Sequence, residues 1–108
     1  MTRQDKKRLL GEYRICMARA HRLQGDMEIY TACREGLERE VRLSLDRAAA
    51  IEAAISQIPD LLCREVMLRR YVYGDTLEVI SDSLNYSTRH LQRIINSAVD
   101  NLELNPPS

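Results

Sequence analysis

Gly74-Asp75-Thr76-Leu77-Glu78-Val79-Ile80-Ser81-Asp82-Ser83-Leu84-Asn85-Tyr86-Ser87-Thr88-Arg89-His90-Leu91-Gln92-Arg93-Ile94-Ile95-Asn96-Ser97-Ala98-Val99-Asp100-Asn101-Leu102 is the stretch whose reading decides the fold. Thr76 offers a hydroxyl to the free N–H groups of a first helical turn. Leu77, Ile80 and Leu84 follow at i, i+3 and i+7, so they share one face of that helix. Asn85 tolerates left-handed backbone and is expected to end it. Ser87 is a second N-cap, and a longer helix is predicted over residues 88–103. Two helices joined by a turn of about three residues, the second longer and amphipathic, form the pattern of a helix-turn-helix.

The second helix divides into two faces by counting. Leu91, Ile94, Ile95, Ala98 and Leu102 make a stripe that needs burial. Arg89, Gln92, Arg93 and Asn96 fall on the other side and face solvent or a ligand. Those side chains are the types that read base edges in a major groove: Arg forks onto guanine, and Gln or Asn pairs with adenine. Any surface helix needs a polar face, so the residue types alone discriminate weakly. The absence of acids from Tyr86 to Ser97, in a chain with acids elsewhere, favours duplex DNA as the ligand.

The run Ile58-Pro59-Asp60, then Val66-Met67, Arg70-Tyr71, Gly74, Thr76-Leu77-Glu78, Ile80, Leu84, Tyr86-Ser87 and Ala98 resembles region 4 of sigma-70 type factors. It is more similar still to the sigma-region-4-like helix-turn-helix of phage and prophage late transcriptional regulators of the ArpU and RinA type. The block Tyr86-Ser87-Thr88-Arg89-His90 matches that group without a gap, and Arg93 falls where a second Arg is common. The resemblance covers about the last fifty residues. It departs at Ser81, where Ala is usual, at Val79, where an acid is common, and at Asn85, where Gly is common. It implies a three-helix DNA-binding domain over residues 58–104, a phage or bacterial promoter as target, and RNA polymerase as a further partner. In a protein of that kind Arg89, Gln92, Arg93 and Asn96 would read bases. Tyr86, Ser87, Thr88 and His90 would hold the DNA backbone.

The chain has 108 residues and formal charge zero, with sixteen bases balancing sixteen acids, so bulk charge offers no support for nucleic-acid binding. From residue 58 onward five Arg face seven acids, leaving the proposed DNA-binding half acidic by two. Hydrophobic residues make up 44% without any Phe or Trp, so the core is expected to be Leu, Ile, Val, Met, Ala and Tyr, which suits helices packed on helices. The expected fold is all-α. Cys16, Cys33 and Cys63 are odd in number and widely spaced, which suits free thiols rather than a zinc site or disulfide framework. No apolar run suits a membrane span or signal peptide, and a cytoplasmic protein is expected.

Residues 1–57 contain no proline and carry a heptad seam through Tyr13, Cys16, Ala20, Leu23, Met27 and Tyr30. A second stripe runs through Leu37, Val41, Leu45, Ala48, Ile51, Ile55 and Ile58. One architecture is a hairpin turning near Gly25-Asp26; the other is a single long helix paired with a second chain. The seam continues across Gly25, which favours the long helix and makes this segment a coiled-coil dimerisation element. A homodimer is therefore expected. Pro59 marks a boundary, with Asp60 capping the next helix as far as about Val72. Residues 105–108 form a tail that cannot continue a helix.

No catalytic constellation, phosphate loop or metal-ligand spacing is found, so no cofactor, no metal and no enzymatic activity are expected. His21 reads as a surface residue, and His90 as either a phosphate contact or packing against the turn. Three functions remain in competition. The first is a sequence-specific transcriptional regulator. The second is a helical protein-interaction module, such as an anti-regulator or packaging adaptor, in which the helix-turn-helix is structural; the acidic balance of the C-terminal half favours it. The third, a sigma factor fragment, is disfavoured because no domain able to melt a promoter accompanies the motif.

Overall fold

The computed structural model describes residues 1–29 and 33–104. Among these residues the chain forms five α-helices and a π-helical turn, with no strand. They are α1 (Arg3–Ile29), α2 (Arg34–Ser56), α3 (Leu61–Met67), the π turn (Leu68–Val72), α4 (Leu77–Leu84) and α5 (Thr88–Asn101). The all-α expectation holds. Tyr30 of the heptad seam and the tail Asn105-Pro106-Pro107-Ser108 lie outside the described residues.

The N-terminal half is a hairpin, but it does not turn at Gly25-Asp26. Helix α1 continues through both residues to Ile29, and α2 starts at Arg34. The seam residues Cys16, Ala20 and Leu23 are buried, as are Val41, Ala48 and Ile51 from the second stripe. Ala20, Leu23 and Val41 form one small cluster with Met27 and Leu37 against it. The Arg19–Glu40 ion pair (3.0 Å) and the Tyr13 hydroxyl on Glu52 (3.2 Å) tie the two helices together at their edges. The partner of the seam is thus α2 of the same chain, and a second copy is not needed to bury it.

The larger core ignores the break at Pro59. Leu10 of α1 and Ile51 and Ile55 of α2 pack with Val66, Met67, Ile80, Leu91, Ile95, Ala98, Val99 and Leu102. Leu10, Ile55, Val66, Met67, Ile80, Leu91 and Val99 are completely sealed from solvent. Pro59 interrupts the helix and not the packing, so residues 1–57 and 58–104 share one interior.

Local signals behave as their chemistry dictates. Asp60 caps α3 by accepting from the Cys63 N–H (3.0 Å), and Thr76 caps α4 through the Val79 N–H (3.2 Å). The expected α-helix to Val72 instead widens into a π turn. Its end closes through Tyr73 N–H to the Leu68 carbonyl (3.0 Å) and Asp75 N–H to the Arg69 carbonyl (2.9 Å). Gly74 stands at φ 75°, a left-handed position where glycine is the unstrained choice. Tyr71 packs half-buried against the core, and burial pushes its phenol above the ordinary value.

Candidate nucleic-acid interface

The connection between α4 and α5 is fixed from both ends. Asn85 takes φ 60° and closes α4 by donating its N–H to the Ser81 carbonyl (2.9 Å). The Ser81 hydroxyl donates to the Tyr86 carbonyl across the turn, a bond that alanine at this position would lack. Ser87 then caps α5, accepting from the His90 N–H (3.1 Å). No acid lies in the first turn of α5, so the positive end of the helix dipole is left unopposed.

Burial of α5 follows its two faces. Leu91, Ile95, Ala98 and Val99 are buried, and Ile94 is half-buried against the same core. Val99 belongs to the inner stripe although the count from Leu91 omits it; its i+4 spacing from Ile95 was the available signal. On the outer side Arg89, Gln92 and Arg93 are exposed. Among the described residues neither arginine takes part in an ion pair. Thr88, Ser87, Tyr86 and His90 are exposed as well, at the start of the helix. The Tyr86 and His90 rings lie 5.1 Å apart, tilted 34°. His90 thus meets Tyr86 of the turn through its ring while the residue remains exposed.

Asn96 does not share this freedom. It is half-buried, and its Oδ1 accepts from the Lys7 ammonium of α1 (2.7 Å). A few residues on, Asp100 falls at i+11 from Arg89 and so lies on the same stripe, about 16 Å further along the axis. Arg3 grips that carboxylate with Nε on Oδ1 (2.8 Å) and Nη2 on Oδ2 (2.6 Å). Lys6 donates to the Asp100 carbonyl (3.1 Å). The Arg3 hydrogen bond, with the positive field of Arg3, Lys6 and Lys7 behind it, holds the Asp100 carboxyl below its ordinary value. The polar face therefore has two parts: an open surface of Arg89, Gln92 and Arg93, then a section tied to α1 by side-chain bonds. Nothing in the local spacing of α5 announces that tie.

Chemically, two unpaired guanidinium groups flanking an amide can fork onto base edges or phosphates. Among the described residues no group of His, Cys, Asp and Glu is placed to hold a metal ion, and all three cysteines are free. No helix among them is long and apolar enough to cross a membrane. Open grooves lie elsewhere among the described residues. One of about 360 Å³ lies between α1, α2 and Leu104, another of about 530 Å³ between Ile58, Cys63 and the far side of α5. Arg89, Gln92 and Arg93 line neither. No protein-family model, curated protein or solved structure matches the chain.

Proposed function

We propose that the chain is a sequence-specific DNA-binding transcriptional regulator. In this reading α4 and α5 act as a helix-turn-helix, and α5 lies in the major groove of duplex DNA with its N-terminal end at the bases. Arg89, Gln92 and Arg93 read base edges. Tyr86, Ser87, Thr88 and His90 meet the phosphates beside the helix start, where free N–H groups and the dipole favour anions. The resemblance to the late regulators of phages and prophages supplies the biological setting, a promoter with RNA polymerase as second partner. Asn96, half-buried and already accepting from Lys7, keeps one acceptor lone pair and its amide N–H groups for base reading.

The observation that supports this most is the open state of Arg89 and Arg93: exposed, without an ion pair among the described residues, and within a segment, Tyr86 to Ser97, that contains no acid. Both lie on the exposed side of a helix whose start is capped by Ser87. Selection of bound duplexes from a random pool tests the reading. Arg89→Ala or Arg93→Ala should relax base preference at a defined position and cost about 1–3 kcal/mol in affinity. An unchanged footprint and affinity in both variants would overturn it.

A homodimer on two half-sites about 10 bp apart remains the expected assembly for such motifs. With the heptad seam closed by α2, it would have to be held through other surface, such as Ile15, Met17 and Leu43, which are exposed on the hairpin. The interaction-module reading makes the opposite prediction about salt. Its partner binding would vary little with ionic strength, whereas DNA affinity falls steeply.

A further inference from the structure

A net excess of two acids over bases in residues 58–108 is a poor footing for a DNA-binding surface. The missing positive charge comes from the opposite end of the chain. Residues 1–8 hold Arg3, Lys6, Lys7 and Arg8 against the single acid Asp5. Arg3, Lys6 and Lys7 stand at i, i+3 and i+4 ahead of the fully buried Leu10, so they share the face of α1 that meets the core. There they meet α5, at Asp100 and Asn96. The only two lysines of the protein both end on this one helix.

The three cations are not equivalent. Arg3 is spent on Asp100: its fork cancels the one acid on the outer stripe of α5. Lys6 and Lys7 each direct one bond to α5, and an ammonium has three donors, so two remain on each. Lys7 sits over Asn96, seven residues and about 10 Å along the axis from Arg89. A major groove is about 12 Å wide between its phosphate walls. A helix reading bases at Arg89 thus carries Lys7 to the bordering strand.

We propose that the first two turns of α1 are part of the nucleic-acid interface: Lys6 and Lys7 bind phosphates flanking the groove, and Arg3 neutralises Asp100 so that the strand can approach. The inference rests on the reading of α5 as the groove-binding helix and assigns to α1 the electrostatic half of the site. The N-terminal helix is then a clamp on the DNA as well as a strut for the core.

The test is the salt dependence of duplex binding by the full chain. Five proteins are compared with the wild type: Lys6→Ala/Lys7→Ala, Lys7→Gln, Lys7→Arg, Arg89→Ala and Arg93→Ala. Glutamine at 7 keeps an N–H donor, one bond shorter, but carries no charge, and a lowered salt slope marks a lost phosphate contact where a lost structural bond would not. Each lost phosphate contact lowers the slope of log affinity against log salt by about 0.9. The double variant should therefore lose about two from the slope and Lys7→Gln about one, with base preference unchanged, while Lys7→Arg keeps the wild-type slope. Wild-type slopes in the double variant and in Lys7→Gln, alongside weakened binding by Arg89→Ala or Arg93→Ala, would remove the α1 flank and leave the α5 reading standing. Absence of duplex binding by the wild type at low salt would remove both, as would a normal footprint and affinity in both Arg89→Ala and Arg93→Ala.

Discussion

A side chain at residue 74 faces two separate penalties, and their sizes differ. The backbone at φ 75° lies where a Cβ crowds the following carbonyl, at about 1–2 kcal/mol for an ordinary residue. The added Cβ would also run into the Arg14 guanidinium. Arg14 is exposed, and what it presents is the free end of a long chain that swings aside at little cost. Backbone strain should win. Gly74→Ala is expected to lower stability by about 1–2 kcal/mol in urea unfolding, and nearly the same loss should appear in an Arg14→Ala background. A loss that vanishes without Arg14 would show that the contact decides instead. At this scale the sequence was readable wherever both partners lie within a turn or so of each other. The caps Asp60, Thr76 and Ser87 and the left-handed Asn85 depend on neighbours three or four residues away. Lys7 on Asn96 joins residues 89 apart, and no local spacing records it.

At the scale of the helix, apolar periodicity states that a face is buried without stating by what. The seam from Tyr13 to Met27 suits a second chain and a second helix of the same chain equally, because both offer a complementary stripe at the same 3–4 spacing. Gly25 could not decide between them either: it is an adequate C-cap and a tolerable interior residue. In the structure it lies inside α1, and a Cβ there would meet nothing within 4 Å. Gly25→Ala should therefore stabilise the protein by about 0.5–1 kcal/mol through helix propensity. Thermal unfolding should show this as a rise of a few degrees, since 1 kcal/mol is worth roughly 4–8 °C in a domain near this size. A hairpin that turned at Gly25 would respond with a fall. The π turn at Leu68–Val72 had no such signal, because no residue type marks the extra residue that widens a helix. The two faces of α5, by contrast, were legible almost residue by residue. Its inner stripe has a fixed periodicity, and on the outer side Asn96 and Asp100 were claimed by α1.

The whole molecule is more drawn out than its length requires. A compact chain of this size would have a radius of gyration near ~13 Å, against 16.0 Å here with extents of 51 × 29 × 21 Å. One end of the hairpin projects with only the small Ala20–Leu23–Val41 cluster beneath it, while the other is fastened to α5. That fastening joins residues 97 apart and has a pH signature. The Asp100 carboxyl is lowered first by the Arg3 hydrogen bond, against a smaller opposing cost of desolvation, and then by the charges of Arg3, Lys6 and Lys7. Its folded value lies below the unfolded one, so its contribution is complete above the ordinary value of 3.8 and disappears as pH falls through the depressed one. Asp5, lowered mainly by its bonds with Thr2, works in the same direction and leaves an acid response of its own. Both carboxylates are exposed, so the effect is modest and weakens with salt. Asp100→Asn should therefore be less stable than the wild type at neutral pH, with the two urea midpoints converging once the medium is acid enough to protonate Asp100. Amide exchange in residues 3–10 should be faster in the variant at neutral pH, because the first turns of α1 lose their hold on α5. Equal exchange there in both proteins would mean that burial of Leu10 alone keeps α1 in place and that the Arg3–Asp100 contact merely decorates the surface.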